Sequence, residues 1–151
     1  MDYNFYILEQ TRSNILKAIQ DFSIEQLNTI PEGFNNNLIW NFGHVVATQQ
    51  LLCYALSGLP MHMDKGLVDK YRKGSKPIDF VDEAEYELLK SLAFSLIEQT
   101  KADYANGIFE SYKPYTTSFN VTLSSVEEAI AFNNVHEGLH FGSVLALRKL
   151  V

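Results

Sequence analysis

Apolar residues recur at three- and four-residue intervals along most of this chain, and four stretches keep that period long enough to predict helices. The first runs from about Tyr3 to Phe22, with Leu8, Ile15, Ile19 and Phe22 on one face. Ser23-Ile24-Glu25-Gln26 has the spacing of a capping box that opens a short extra turn, before Pro31 and Gly33 interrupt the chain. A second helix is expected from Asn37 to Ser57, stopped by Gly58 and Pro60. A third starts at Asp82, a cap for Glu85, and turns Leu89, Leu92, Ala93, Leu96, Ile97 and Thr100 inward. The fourth opens at Ser124-Ser125-Val126-Glu127 and reaches Leu150.

The connections from Leu59 to Val81 and from Asn106 to Leu123 exceed ordinary bundle turns. In the second, Tyr115 to Thr122 favours β structure without clean alternation, which predicts an ordered loop over one end. Matching depths along the helices favours an antiparallel second and fourth helix. The expected fold is therefore all-α: one domain over residues 1–151, a four-helix bundle in up-down-down-up order with a long crossover between the second and third helices.

Histidines interrupt this apolar pattern where it is strongest. On a helical wheel, His44 lies within about 60° of Trp40, Asn41, Ala47, Thr48, Leu51 and Ala55, so it points inward. His136 gathers Ala129, Phe132, Asn133, Leu139, His140, Ser143, Leu147 and Leu150. His136 and His140, one turn apart, can both reach one ion at about 2.0 to 2.1 Å. A buried imidazole without a partner is costly, and a transition metal supplies the partner for all three. The alternative is that each is a core histidine bonded to a carbonyl or hydroxyl.

His136-Glu137-Gly138-Leu139-His140 is literally the HExxH string of zinc proteases, whose glutamate is a general base. Those enzymes take a third ligand from downstream, and Phe141 to Val151 holds no His, Asp, Glu or Cys. A third ligand must lie upstream. His62, in the proline-broken Leu59-Pro60-Met61-His62-Met63, reads as a loop residue, and Cys53 faces away from His44 as packing.

Composition narrows the classes. The chain has 151 residues, 46% of them hydrophobic, which suits one substantial core. A net charge of −6 argues against a nucleic-acid partner, and Lys70, Arg72, Lys73 and Lys76 read as a solvated loop face. No secretory h-region or bilayer-length apolar run occurs, and a single cysteine fits a reducing compartment; a cytoplasmic location without a membrane partner is expected.

Leu38-Ile39-Trp40-Asn41-Phe42-Gly43-His44 and His136-Glu137-Gly138-Leu139-His140-Phe141-Gly142, with Ser124 to Ala131 between them, resemble the motifs of the DinB-like family, which includes YfiT-type hydrolases and low-molecular-weight-thiol S-transferases. Carried over residue by residue, the resemblance implies a His44, His136 and His140 metal triad in a bundle that often dimerises. Three nitrogens suit zinc or nickel, and also copper or iron, over magnesium and calcium. They leave a coordination position open, as in catalytic sites, for activating water in hydrolysis or a thiolate for attack on an electrophile. The implied partners are a small-molecule substrate, a low-molecular-weight thiol among the candidates, and a second copy of the chain.

Glu137 is either a base or orienting carboxylate at the site's flank or a solvated helix residue. Asn41 and Asn133 either orient ligands or bond locally to backbone; Trp40 and Phe132 are either core or substrate wall. Gly138 and Gly142 are expected to permit close helix approach. A non-catalytic metal- or ligand-binding stress-response protein is the alternative to an enzyme, and a metal-free dimerisation bundle is a third reading.

Overall fold

The computed structural model describes residues 1–151, which are mostly helical. α1 spans Asp2–Ile19 and α2 Ile24–Asn28; α3 spans Leu38–Gln50 and continues as a π-helical turn over Leu51–Ala55. α4 covers Lys65–Tyr71, α5 Glu83–Ala105 and α6 Val126–Leu147. The all-α expectation holds apart from a minimal hairpin, β1 (Tyr115–Thr116) and β2 (Thr122–Leu123), where an ordered loop was expected. Asn120, at φ 58°, makes the left-handed turn that lets the two segments pair.

Side-chain caps set the helix starts. Ser23 and Gln26 exchange both capping-box bonds, and Asn37, Asp82 and Ser125 each accept from the backbone N–H three residues on. α1 stops before Phe22, because Ser23 needs extended backbone to cap α2. α6 stops short of Leu150, its last carbonyls taken up in a closing turn through Arg148.

The segment from Leu59 to Val81, expected as loop, contains α4, started by the Asp64 carboxylate on Gly66 and Leu67 N–H. The solvated reading of its basic cluster fails at Lys70, which pairs with Glu85 at 2.7 Å. A second departure is the π-helical turn, closed by the Leu56 N–H on the Leu51 carbonyl; the extra residue per turn breaks the 3.6 period from which an uninterrupted helix was inferred.

α6 packs on α1 and α3, and α5 packs on the same two helices. Gln49 meets Leu96 and Thr100 while Tyr54 meets Asp103; Phe5 meets Tyr104 while Arg12 meets Ala93. Two apolar clusters fill the interior, one containing Ile15, Ala47, Ala93 and Val144, the other Phe5, Leu8, Cys53, Ile97 and Ile130. Along α1, α3 and α6 a buried polar layer separates them, made of Arg12, Gln49, Asn133 and Glu137, and Thr100 of α5 joins it by accepting from Gln49.

That layer corrects the reading of α6. Its buried stripe runs through Val126, Ala129, Ile130, Asn133, Glu137, Val144 and Leu147, whereas Leu139 and Leu150, expected inward, are 53% and 56% exposed. Arg12 draws Glu137 to the centre of the stripe, which turns the histidines to its edge. A Cβ on Gly138 or Gly142 would meet nothing, so neither glycine serves a close approach within the chain. Gly43 does: a Cβ there would overlap the Tyr71 ring.

Candidate metal centre

His44, on the buried helix α3, projects toward α6, where His136 and His140 are stacked one turn apart. Their ring centroids lie 4.6 to 5.1 Å from one another. One nitrogen from each ring can be chosen so that all lie within 4.8 Å. No other group of three His, Cys, Asp or Glu side chains comes together in this way.

Hydrogen bonds at the back of two rings fix their tautomers. His44 Nδ1 lies 2.6 Å from the Tyr71 carbonyl, which can only accept, so Nδ1 carries the proton and Nε2 presents its lone pair. The Asn41 amide donates to Asn36 Oδ1 and the Asn37 carbonyl, leaving its Oδ1 to accept from His140 Nδ1 at 2.9 Å. His140 Nε2 is bared in the same way. Trp40 stacks on the His44 ring at 4.6 Å, its indole N–H donating to Ser75.

His44 Nε2 and His136 Nε2 stand 3.2 Å apart. Two nitrogens about 2.05 Å from one tetrahedral ion would be separated by about 3.3 Å. His136 Nδ1 is buried without a partner, so protein hydrogen bonds alone do not satisfy that ring. The donor set and the spacing fit a borderline transition metal better than a hard oxygen-seeking one.

Burial favours the neutral form that a metal requires. Desolvation, with repulsion from the neighbouring imidazoles, pushes His136 down to about 3, and desolvation with repulsion from His44 takes His140 to about 4. His44 is lowered by burial too, against the pull of the Tyr71 carbonyl.

Glu137 is fully buried, which removes the solvated alternative for it. Arg12 donates through Nη2 to Oε1 at 2.7 Å and through Nε to Oε2 at 3.1 Å, and Asn133 adds a bond to Oε1 at 2.8 Å. Burial raises the carboxyl's pKa above the ordinary carboxylate value, with Arg12 and Asn133 pulling against it. Asn133 therefore serves the carboxylate, whereas Asn41 serves a histidine. His62 stands apart from the cluster, 3.4 Å from Asp103 and edge-on to Tyr54. Cys53 is fully buried, its thiol pushed up to about 12 by desolvation.

His44 and His136 also line a cavity of about 290 Å³. Its walls include Leu51, Leu52 and Ala55 from the π-helical turn, Leu56 and Phe132; Tyr115, Thr117 and Ser118 of the hairpin region cover it, and Lys73 completes the lining. Phe132 thus belongs to the wall. Sequence reasoning missed the Tyr71 carbonyl, since a backbone oxygen leaves no trace in residue type. It also missed Arg12, although a charge on the stripe between Leu8 and Ile15 was visible.

Comparison with curated proteins gives no match. A family model described as the DinB superfamily matches residues 7–144, a span that contains all three histidines and the helices that carry them. On that match the chain belongs to the DinB superfamily.

Proposed function

We propose that this protein is a metal-dependent enzyme of small molecules, with His44, His136 and His140 as the metal ligands and zinc or nickel as the metal. The observation that carries the reading is the cavity: two of the three histidines line a chamber of about 290 Å³ with apolar walls, where an ion-storage site would be sealed by side chains. Membership of a superfamily associated with metal binding supports it.

When bound, the ion would supply Lewis-acid chemistry, polarising an electrophile or favouring the thiolate form of a thiol. The chain's own residues hold the imidazoles neutral and oriented, and the apolar walls exclude water from the reacting groups. No carboxylate lines the cavity, and both Glu137 oxygens are engaged by Arg12 and Asn133. Bound water and a bound thiol would each reach the nucleophilic form by giving a proton to solvent, so the missing carboxylate does not separate the two reactions. Thiol S-transfer is preferred over hydrolysis on the family resemblance, with a low-molecular-weight thiol as one substrate; the thiol's proton passes to solvent, the sulfur–carbon bond forms and the leaving group departs with its electron pair. Glu137 acts here as a positioning residue for α6.

The same reading takes residues 1–151 as one cytoplasmic domain, a four-helix bundle in up-down-down-up order. Support comes from the pairings: residue numbers rise together between α3 and α5, and fall against each other between α1 and α5. A homodimer through α6 is supported by Val135, Leu139 and Leu145, exposed at 55%, 53% and 38% beside Gly138 and Gly142. No helix is long and apolar enough to cross a membrane.

The decisive experiment is elemental analysis of untagged protein, followed by assay of the metallated form with small thiols plus an electrophile and with amide and ester substrates. Metal-dependent thioether formation is expected. Metal retained without turnover of any of these would favour a binding protein.

A further inference from the structure

The cavity beside the histidines is apolar along its walls and carries one formally charged side chain, Lys73. Lys73 forms none of the molecule's ion pairs, although its neighbours in sequence do: Lys70 pairs with Glu85, and Arg72 with Asp69. In a chain of net charge −6, an unpaired cation at a cavity without a carboxylate leaves a local positive potential in otherwise negative surroundings. The histidines and Lys73 differ in depth. His44 is 4% exposed and Lys73 lies at the solvent side.

Apolar walls, a charged rim and a histidine floor together define what fits. The volume, at the low end of ligand pockets, suits a small molecule. Leu52, Leu56 and Phe132 offer only dispersion and burial to its body, Thr48, Tyr115, Thr117 and Ser118 offer neutral hydroxyls, and Lys73 offers the one ionic contact. We propose that this cavity selects a small organic anion, its apolar body against Leu52, Leu56 and Phe132, its negative group at Lys73 and its opposite end at the histidines. This rests on the reading of the cavity as the active site and names the substrate class for it. Lys73 is then a specificity-determining residue that sets which end of the ligand reaches His44 and His136.

An anion would also be drawn to a metal ion, so the test starts with chelator-treated, metal-free protein. The probes are 4-phenylbutyrate, its neutral amide and 4-phenylbutylamine, which share one body and differ in charge; affinities are read by calorimetry at low and high salt. Wild type is expected to bind the carboxylate about fivefold more tightly than the amide, the size of one partly solvated ion pair, with the gap closing as salt is raised. Lys73→Met should equalise carboxylate and amide without weakening the amide, and Lys73→Glu should turn the preference toward the amine. The proposal is overturned if wild type shows no preference, if Lys73→Met retains it, if none of the probes binds, or if the preference appears only once metal is restored. Metal content of the same preparations keeps the two readings apart: an intact anion preference in a protein that never takes up metal would remove the metalloenzyme reading and leave Lys73's role standing.

Discussion

His44 shows how much of a site one side chain can carry. It gives a nitrogen to the cluster, stacks under Trp40, and is held from behind by the Tyr71 carbonyl. Removing it leaves only the one-turn pair on α6, and two imidazoles hold a transition ion much more weakly than three. His44→Ala is expected to abolish tight metal binding as measured by elemental analysis after dialysis, although His44 lies far in sequence from the HExxH string. His62→Ala and Cys53→Ala should retain wild-type metal content, since one side chain pairs with Asp103 and the other is packed in the second apolar cluster. Wild-type metal content in His44→Ala, together with loss in His62→Ala, would mean that the third ligand is the loop histidine. Glu137 belongs to this scale too. With its oxygens on Arg12 and Asn133, Glu137→Gln strands Arg12 and should cost stability, while the folded protein keeps its metal content and the pH dependence of turnover stays unmoved, whereas a proton-carrying carboxylate would shift that profile.

Among the elements, α4 has the least apparent connection to the chemistry and a direct structural one. Its last residue, Tyr71, lays its ring across Gly43, donates its hydroxyl to Glu85 of α5 at 2.5 Å, and offers its carbonyl to His44. Gly43→Ala pushes a methyl group into that ring and must lift α4 away from α3. The variant should lose about 1–3 kcal/mol of stability and bind metal at least tenfold more weakly, because His44 loses the group that fixes its tautomer. Tyr71→Phe keeps the carbonyl and the ring, so its metal affinity should stay near wild type; a tenfold loss there would show that the hydroxyl, not the carbonyl, does the orienting. α4 also marks where sequence reasoning reached its limit. The long helices were legible because their apolar residues repeat over many turns, and Asp82 announced the start of α5 as Ser23 did that of the short α2. α4 has only Val68 and Tyr71 to bury, too few positions to define a period. The π-helical turn was hidden for a related reason: a single extra residue leaves the composition of α3 unchanged and shifts only where its side chains point. The inward histidines were legible individually. The inward face of α6 is centred on Glu137 and not on His136, because Glu137 meets a charge on another element that the periodicity of α6 alone does not reveal.

Across the whole molecule, the polar layer and the histidines create opposite demands on charge. Arg12 and Glu137 pair at 2.7 Å between two apolar clusters with both side chains fully buried, so deleting one partner strands the other; Arg12→Met is expected to cost about 3–5 kcal/mol in denaturant unfolding. Arg12→Met with Glu137→Leu should cost distinctly less than the single change, and equal losses would mean that packing, not charge, holds that layer. The histidines need the reverse, neutrality. From residue type alone, protons would displace the metal below about pH 6.5. Burial changes that expectation, because His136 and His140 are pushed to about 3 and about 4 and stay unprotonated in the fold well below neutrality. The sign follows from linkage: the unfolded chain takes up protons near pH 6.5 and the folded chain does not, so the contribution to stability is complete above about 6.5 and is lost as pH falls toward the depressed values. The slope is at most about 1.4 kcal/mol per pH unit for each histidine. Metal-free protein should therefore weaken steadily in denaturant melts between about pH 6.5 and 4, while metallated protein, whose fold is tied to the ion, keeps its metal to about pH 5. Half of the metal released at pH 6.5 from a protein whose circular dichroism is unchanged would show that the histidines titrate as exposed side chains do, and that burial is not what keeps this site ready for its ion.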